Sequence, residues 1–413
     1  MEGKGPLAGL RVLDCSTMIA APLAAATLAD YGAEVIKLER PGVGDTLRRY
    51  GAQRNGQGLY WKALARNKKS VALDLHAPAA QALLVRWLPS FDVVIENFRP
   101  GTLERWNLAP ERLLETAPHL VILRVTAFGQ EGPYRERAGF GTLAEAMTGI
   151  AAVSGYEEQP PLLPAFPLAD IIAGQAAVGA VCAAYARRLR TGRGDVIDFA
   201  IFEAAMKLVE SQLTEYAVNG TLHRRLGNRM EDTAPRGAYR CSDGSWVALS
   251  GSTQAVAERV LATLGGDELV NDPRFRTNAD RVSNGEALDG LIEAFCERRT
   301  RDEVIAIFNS AGCAVGPLET IDSVFANPQI AARGSLARVD DPDLGSIVIN
   351  NAFPLFREAG APTLRPGPSA IGADTAEVLG RELGIGGEEL RALAQQGVIG
   401  LASIPEAGPS PEL

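Results

Sequence analysis

Asp170 is the carboxylate in this sequence that is best suited to do chemistry. It is the one acidic residue in the apolar segment PAFPLADIIAGQAA, and it falls at the start of a predicted long helix. A carboxylate at a helix N-terminus stays ionised and can be held by backbone N–H groups. Such a group can act as a nucleophile in a cleft or can simply cap the helix, and the local sequence leaves both roles open.

Cationic, amide and aromatic residues follow several predicted strands. Arg40 comes directly after the strand AEVIKL and the intervening Glu39, whereas Asn97 and Phe98 follow FDVVI, with Arg105 just beyond. Ligands of open α/β sheets bind beyond the carboxyl ends of the strands. Arginine and asparagine there could hold phosphates and Phe98 could stack on a base, with solvated loop charge as the alternative.

Several common catalytic motifs are missing from the sequence. No GxGxxG follows the first predicted strand, and neither GxxxxGK[ST] nor GxSxG occurs. These absences weigh against dinucleotide-binding, P-loop and α/β-hydrolase functions. The three histidines form no paired ligand motif and the five cysteines form no CxxC pair. We therefore expect no metal site, and reduced thiols as in a cytoplasmic protein.

Length and composition indicate a globular chain of two or three domains. The sequence has 413 residues, of which 46% are hydrophobic and 22% charged, and its net charge is −9. This balance excludes a disordered chain and argues against nucleic-acid or anionic-membrane partners. We find no signal-peptide pattern and no apolar stretch long enough to predict a membrane-spanning helix.

The elements that must position these residues alternate between strand and helix over the first 130 residues. Predicted strands at 9–14, 33–38, 70–75, 91–95 and 120–125, with helices at 20–31 and 78–89, indicate a mostly parallel sheet. The later pattern predicts further elements: helices at 169–190, 201–217, 254–264, 285–297, 301–311, 375–382 and 387–396, strands at 195–199 and 343–352, a hairpin at Asp243-Gly244, and a proline-rich loop at 360–369.

The chain resembles the class III CoA-transferases, a family that includes formyl-CoA transferase and the carnitine CoA-transferases. The likeness begins with PLAGLRVLDCSTMIAAPLAAATLADYGAEVIKLERPGVGDTLR and continues through RNKKSVALDL, VVIENFRPGTLERW, AFGQEGPY, the Asp170 segment and APRGAYRCSDGSWVAL. It resumes in IGADTAEVLGRELGIGGEELRALAQQGVI, so it covers nearly the whole chain.

This resemblance implies an α/β fold with a large Rossmann-like domain, built from N- and C-terminal parts, and a smaller α+β domain. On this expectation residues 1–205 and 322–405 form the large domain. Residues 206–321 form linker helices and the small domain, and 406–413 form a mobile tail. The resemblance also implies a ring-shaped subunit and an interlocked homodimer.

The resemblance further implies that Asp170 is the covalent nucleophile of an acyl-CoA:carboxylate CoA-transferase, which works through an aspartyl anhydride and an aspartyl-CoA thioester. Coenzyme A is then a substrate, and no other cofactor is needed. The positions that match the family's CoA contacts, with Arg137 beside the last matching segment, are Ile19, Ala20, Arg40, Leu73, His76, Asn97, Phe98, Arg105 and Arg137.

Two other functions remain as alternatives. The α-methylacyl-CoA racemases of the same family pair a histidine with an aspartate for proton transfer, but Phe140 stands in the matching segment and cannot transfer a proton. Ile19, which stands where formyl-CoA transferase carries glutamine, disfavours that activity with oxalate. The second alternative is a non-catalytic CoA-binding protein in which Asp170 only caps its helix.

The substrates follow from general resemblance to the dicarboxylate branch of the family. We expect succinyl-CoA or a similar short dicarboxyl-CoA as donor, and a C4 or C5 dicarboxylic acid as acceptor. Arg135, Arg137 and Arg236 lie near the site segments and could hold a second carboxylate. The segment 250–254 lies where the family has a glycine-rich lid, and its sequence also suits a plain turn.

Overall fold

A computed structural model describes residues 4–402, so the predicted tail at 406–413 lies outside the described residues. The chain divides into two compact units. The first comprises the described parts of Met1–Thr148 and Ala331–Leu413 together with Pro164–Val209. The second comprises Gly149–Leu163 and Glu210–Ile330. The first unit therefore draws on both ends of the chain.

The strands are short, and their bounds in chain order are β1 Arg11–Asp14, β2 Glu34–Glu39, β3 Gln53–Arg54, β4 Gln57–Gly58, β5 Lys68–Leu73, β6 Val93–Glu96, β7 Val121–Thr126, β8 Asp195–Ala200, β9 Arg236–Arg240, β10 Trp246–Ser250, β11 Ala314–Pro317, β12 Leu336–Asp341, β13 Gly345–Asn350 and β14 Ile399–Gly400.

The α-helices in chain order are α1 Ala20–Asp30, α2 Leu59–Leu64, α3 Pro78–Trp87, α4 Thr102–Arg105, α5 Pro110–Thr116, α6 Gly141–Met147, α7 Ile150–Val153, α8 Leu168–Thr191, α9 Ile201–Met206, α10 Glu210–Asn219, α11 Gln254–Val270, α12 Asn278–Ser283, α13 Gly285–Cys296, α14 Arg301–Ser310, α15 Ile321–Val324, α16 Pro328–Ala332, α17 Thr375–Leu383 and α18 Gly387–Gln395. Short 3-10 helices span Thr46–Arg49, Leu88–Ser90 and Lys207–Val209.

The first unit is built on a seven-stranded sheet in the order β14-β5-β2-β1-β6-β7-β8. Neighbouring strands run parallel except β14, which is antiparallel to β5. Apolar residues dominate β6 and β7 because both faces of these strands are covered. The predicted mostly parallel sheet is thus confirmed. The strand order reverses between β1 and β6, which makes this point the expected ligand crevice.

Helices α1 and α8 pack closely against each other through small residues. Every residue of α1 is buried. A Cβ at Gly174 of α8 would lie 2.6 Å from the backbone oxygen of Ala20, so the two backbones touch there. By length and composition alone α8 could cross a membrane. It packs against α1, α6 and β8, and its buried residues fall between Ala169 and Ala184.

The second unit contains the predicted hairpin. Strands β9 and β10 pair antiparallel around Asp243-Gly244, and β11 extends them to a three-stranded sheet. Helix α11 continues past the predicted end at 264, with non-helical backbone at Gly265 and Gly266. The predicted helix at 201–217 is divided into α9 and α10 by a 3-10 turn at Lys207–Val209. The strand β12 was missed, because only its partner β13 reads clearly as a strand.

Candidate active site

A cavity of about 220 Å³ lies in the first unit at the carboxyl ends of β1, β6 and β7. Its walls are the loops after β1 and β6, the end of β7 with the segment that leads to Phe140, the first turn of α8 and Ile201 of α9. This is the crevice at which the strand order reverses. The cavity brings together six of the sequence-predicted site residues: Ile19, Ala20, Asn97, Phe98, Arg137 and Asp170.

Asp170 sits in the first turn of α8 and faces this cavity. Desolvation by burial raises the pKa of its carboxyl, and the nearby Glu145 carboxylate raises it further, to about 6. The N-cap residue of α8 is Pro167, and no side chain caps the helix. Within residues 4–402 the Asp170 carboxylate accepts no hydrogen bond from the protein. Its oxygens are therefore free for a ligand, unlike those of a capping aspartate.

Gly141 lies directly beside the Asp170 carboxylate, and Phe140 precedes it in the chain. A Cβ at Gly141 would lie 2.5 Å from Asp170 Oδ2, so only glycine fits beside the carboxylate without displacement. Phe140 lines the cavity and is 66% exposed. None of the three histidines, all of which are described, lies along this cavity. The acid–base pair that a racemase requires is therefore not assembled here from histidine and Asp170.

The loop after β1 is held in an unusual conformation by two side chains from other elements. Met18 has a φ of +69°, in the left-handed region that costs free energy for a non-glycine residue. Asn97 Oδ1 accepts from the Thr17 N–H at 2.8 Å, and its Nδ2 donates to the Thr17 carbonyl at 2.7 Å. Asp45 Oδ1 accepts from the Met18 N–H at 3.1 Å. Asn97 thus shapes the cavity through Thr17.

A buried charge cluster supports this loop from below. Lys68 Nζ lies 2.8 Å from Asp14 Oδ2, and Lys37 Nζ lies 3.3 Å from Asp45 Oδ2. Burial alone would raise the pKa of Asp14, but the two lysine ammonium groups outweigh it and lower that pKa. Lys68 is the first residue of β5, and its ammonium is buried with Asp14.

A second cavity of about 100 Å³ lies beside the first and is lined by Arg40, Leu73, His76 and Phe98. Thr17 and Phe98 line both cavities, so the two spaces meet at these side chains. Asp74 accepts from His76 Nδ1 at 2.6 Å and lies 3.7 Å from Arg40 Nε. Trp106 packs edge-on against both the His76 and the Phe98 rings.

Cys15 also lines the second cavity, but it is a poor nucleophile. Burial raises the pKa of its thiol, and the neighbouring Asp14 carboxylate adds to this effect. The thiol therefore remains protonated at neutral pH, whereas reactivity requires the thiolate.

The structure does not bring every predicted site residue to a cavity wall. Arg105 is exposed on α4, where its Nη2 donates to Thr102 Oγ1 at 2.9 Å, and it lines neither cavity. Arg236 lines a different cavity, in the second unit. In the segment 250–254, Ser252 Oγ lies 2.9 Å from Ser250 Oγ and Thr253 caps α11. This segment therefore serves as the turn between β10 and α11, and its role as a lid stays a prediction.

Two further arginines line the first cavity. Arg135, which was predicted to hold a second carboxylate, and Arg99 line it together with Arg137, whose guanidinium lies over the Tyr134 ring at 3.6 Å. Arg99 stands in the loop after β6, so its position at a strand end was the available signal. Glu145 carried no comparable signal, because it reads as an ordinary residue of a helix.

One group of potential metal ligands occurs in the second unit. The side chains of Glu215, His223 and Asp232 come within 4.8 Å of one another. His223 already binds Glu215 through Nε2 at 2.7 Å and lies 3.4 Å from Glu231 through Nδ1. In this arrangement the His223 imidazole lies between the carboxylates of Glu215 and Glu231. A search of the sequence for paired histidines cannot detect this group, because its three side chains come together only in the folded chain.

The fold and cavity define an α/β protein that presents a free, largely buried carboxylate at the switch point of its sheet. Comparison with known proteins identifies this class. The family model for CoA-transferase family III matches residues 7–375. The chain therefore belongs to CoA-transferase family III, and it is a CoA-transferase, as the resemblance predicted.

Named relatives match along almost their whole length. Succinyl-CoA–D-citramalate CoA-transferase of Chloroflexus aurantiacus is 39% identical over 95% of this chain and 98% of its own. Human succinyl-CoA:glutarate CoA-transferase is 30% identical over 97% of this chain and 91% of its own. A crystal structure of a CAIB/BAIF family protein from Brucella suis superposes with a TM-score of 0.79 at 32% identity, covering 92% of this chain and 99% of that one.

Proposed function

We propose that this enzyme transfers coenzyme A from succinyl-CoA to a small C4 or C5 dicarboxylic acid, with Asp170 as covalent nucleophile. The observation that carries the proposal is the Asp170 carboxylate itself, which faces the cavity without a hydrogen-bond partner in the described chain. Its raised pKa of about 6 leaves it ionised at neutral pH and more basic than an ordinary aspartate. The substrates named for the relatives support the choice of donor and acceptor.

The reaction proceeds through two covalent intermediates. Asp170 attacks the thioester carbonyl of succinyl-CoA and the C–S bond breaks. The CoA thiolate departs, and an aspartyl–succinyl anhydride forms on Asp170. The thiolate then attacks the aspartyl carbonyl, which releases succinate and leaves an aspartyl-CoA thioester. The acceptor carboxylate attacks this thioester to give a new anhydride and free thiolate. Attack of the thiolate on the acceptor carbonyl yields acceptor-CoA and restores the Asp170 carboxylate.

The N-terminus of α1 is suited to stabilise the oxyanions of these steps. The first N–H groups of a helix have no partner within the helix, and the helix dipole favours negative charge there. Ile19, the N-cap residue, and Ala20 both line the cavity that holds Asp170. Preorganised N–H donors of this kind lower the free energy of a tetrahedral oxyanion.

The two adjoining cavities suit the two ends of the CoA molecule. We assign the nucleotide end to the second cavity, where the Arg40 guanidinium can bind phosphate and the aromatic group around Trp106 offers a stacking surface. Thr17 and Phe98 line both cavities, so the pantetheine arm would pass between them toward Asp170. His76 and Leu73 contribute to the same wall, and Arg105 contacts CoA only from the exposed side of α4.

Three arginines suit the second carboxylate of the substrates. Arg99, Arg135 and Arg137 line the cavity with Asp170, and each offers several N–H donors for a carboxylate. A short dicarboxyl-CoA carries its free carboxylate only a few bonds from the thioester. Binding of that carboxylate would orient the thioester toward Asp170.

We also propose that the enzyme is a cytoplasmic homodimer. Helix α10 has no buried residue and exposes Leu213, Tyr216 and Val218, of which Val218 is 77% exposed. An exposed group of large apolar side chains is typical of a surface that a protein partner covers. Light scattering of the purified protein is expected to give twice the monomer mass, and a monomer at micromolar concentration would overturn this proposal.

Covalent trapping tests the proposed function. The enzyme is incubated with succinyl-CoA and then with hydroxylamine or borohydride, and peptides are analysed by mass spectrometry. A modification on Asp170 that is lost in D170N is the expected result. An adduct with another acyl-CoA but not with succinyl-CoA would keep the nucleophile and reject the donor. No adduct with any thioester, while CoA still binds, would reject the nucleophilic role of Asp170.

A further inference from the structure

Glu145 is a buried carboxylate beside the nucleophile's helix, and the steps described above do not use it. It lies on α6 and is 2% exposed. Its Oε1 accepts a hydrogen bond at 3.0 Å from the backbone N–H of Ala169, the residue directly before Asp170. Within the described chain it forms no ion pair. A buried carboxylate without a cation is costly, which points to a role other than stability.

We propose that Glu145 is a positioning residue that holds the first turn of α8 and, through its negative charge, keeps Asp170 a strongly basic nucleophile. The inference rests on the proposed nucleophilic role of Asp170. It names a residue that controls that role from a second helix.

Helix α6 contacts the nucleophile at two points one turn apart. Gly141, its first residue, touches the Asp170 carboxylate, and Glu145 binds the backbone just before Asp170. Both contacts come from one short helix, so together they fix the direction in which the carboxylate points. The Ala169 N–H is one of the first N–H groups of α8, which need partners outside the helix.

The negative charge of Glu145 raises the pKa of Asp170, as burial does. Desolvation is the larger cause of the raised Asp170 pKa, and Glu145 adds to it. The Asp170 charge also acts on Tyr60 of α2: burial raises the pKa of that phenol, and Asp170 raises it further. A more basic carboxylate is a stronger nucleophile toward a thioester, provided that it is still ionised at the working pH.

The other charged side chains on elements around α8 do not take the place of Glu145. The arginines of the cavity wall are Arg99, Arg135 and Arg137. The remaining groups are paired elsewhere or exposed: Asp30 of α1 with Arg66, Arg124 of β7 with Glu96, and the exposed Asp195, Asp198 and Glu203.

The test uses three substitutions at this position. E145Q keeps an oxygen that can accept from Ala169 but removes the charge, E145D keeps the charge on a shorter side chain, and E145A removes both. The measurement is the pH dependence of kcat/KM for succinyl-CoA, which reports the ionisations of the free enzyme. E115Q, the same change on the exposed face of α5, is the matched control.

The acid limb of the wild-type profile is expected near pH 6. In E145Q it moves to lower pH by about half a unit or more, and kcat at pH 8 falls several-fold because a less basic carboxylate attacks more slowly. E145D retains the wild-type acid limb with a lower kcat. E145A shows both the shifted limb and the largest loss of kcat, since the first turn of α8 also loses its acceptor.

Two results separate failure of this inference from failure of the proposed function. An acid limb in E145Q identical to wild type and E115Q, with the Asp170 adduct still formed, would overturn the role of Glu145 alone. An adduct that persists in D170N would overturn the nucleophilic role of Asp170 and, with it, this inference.

Discussion

Gly141 lies so close to Asp170 that a single added carbon at Gly141 would stand 2.5 Å from Asp170 Oδ2 and 2.8 Å from its Cγ. Real Cβ atoms do not approach other atoms this closely. The glycine therefore defines where the carboxylate can be, and it leaves one side of the carboxylate covered by backbone while the other faces the cavity.

Substitution of Gly141 by alanine is expected to displace the Asp170 carboxylate. A misplacement of about 1 Å can cost a hundredfold in rate, so we expect kcat to fall about 100-fold or more with little change in CoA affinity. The measurement is steady-state kinetics together with CoA titration. G179A is the matched control, because a Cβ at Gly179 of α8 meets nothing within 4 Å. Equal activity of G141A and G179A would contradict the geometric argument.

Replacement of Asp170 by asparagine is expected to stabilise the fold at high pH while abolishing turnover. Burial and Glu145 raise the Asp170 pKa from 3.8 to about 6. The folded state therefore favours the protonated carboxyl, and that stabilisation is complete below about pH 3.8 and lost as the pH rises through about 6. Above pH 6 the ionised carboxylate costs at most about 3 kcal/mol, and less where solvent still reaches it.

Urea denaturation of wild type and D170N at pH 5, 6.5 and 8 tests this sign. The advantage of D170N in free energy of unfolding should grow with pH, and kcat should fall at least about a thousandfold. E115Q is expected to show no such trend. A D170N protein that is less stable than wild type at pH 8 would contradict the conclusion that the ionised Asp170 carboxylate destabilises the fold.

Removal of the Asn97 side chain is expected to loosen the loop after β1. N97A leaves both the N–H and the carbonyl of Thr17 without their partners, which costs about 1–3 kcal/mol of stability. Because Met18 then loses part of what holds its left-handed backbone, we expect KM for succinyl-CoA to rise. N97D keeps one of the two hydrogen bonds and should fall between wild type and N97A.

The measurements for this prediction are denaturant unfolding and the KM for succinyl-CoA. N271A removes a single hydrogen bond of an exposed asparagine in the second unit, and it serves as the control. An N97A enzyme with unchanged stability and a raised KM would indicate a direct contact with CoA instead of support of the loop.

Substitution of Arg135 or Arg137 by glutamine is expected to reduce selectivity for dicarboxyl donors. A charge-assisted hydrogen bond contributes about 1.5–3 kcal/mol, which corresponds to a loss of about 10- to 100-fold in kcat/KM for succinyl-CoA. Butyryl-CoA has the same chain length without the second carboxylate, so its kcat/KM should change little. R236Q is the control, because Arg236 lines a separate cavity. Equal losses with both donors would show that the arginines serve CoA binding in general.

Local pattern was enough to predict most strands of the sheet and to single out Asp170 as a candidate. Strands β6 and β7 contain apolar runs because parallel strands are buried on both faces. The Asp-Gly pair predicted the hairpin of β9 and β10, since that turn depends on two adjacent residues. Asp170 was evident as a single carboxylate in an apolar helix start. Residues at strand ends were expected to meet because parallel strands share one edge.

Only tertiary structure decided how those residues are used. Both polar atoms of the Asn97 side chain hydrogen-bond to the backbone of Thr17, 80 residues away along the chain. Glu145 accepts a hydrogen bond from Ala169, which is 24 residues away. Arg105 lies outside both cavities although it follows the same strand as Phe98. Such contacts depend on the distance and angle between packed elements, which no local periodicity encodes. The sequence by itself determined the family and pointed to Asp170 as the candidate carboxylate, whereas packing determined which groups surround it.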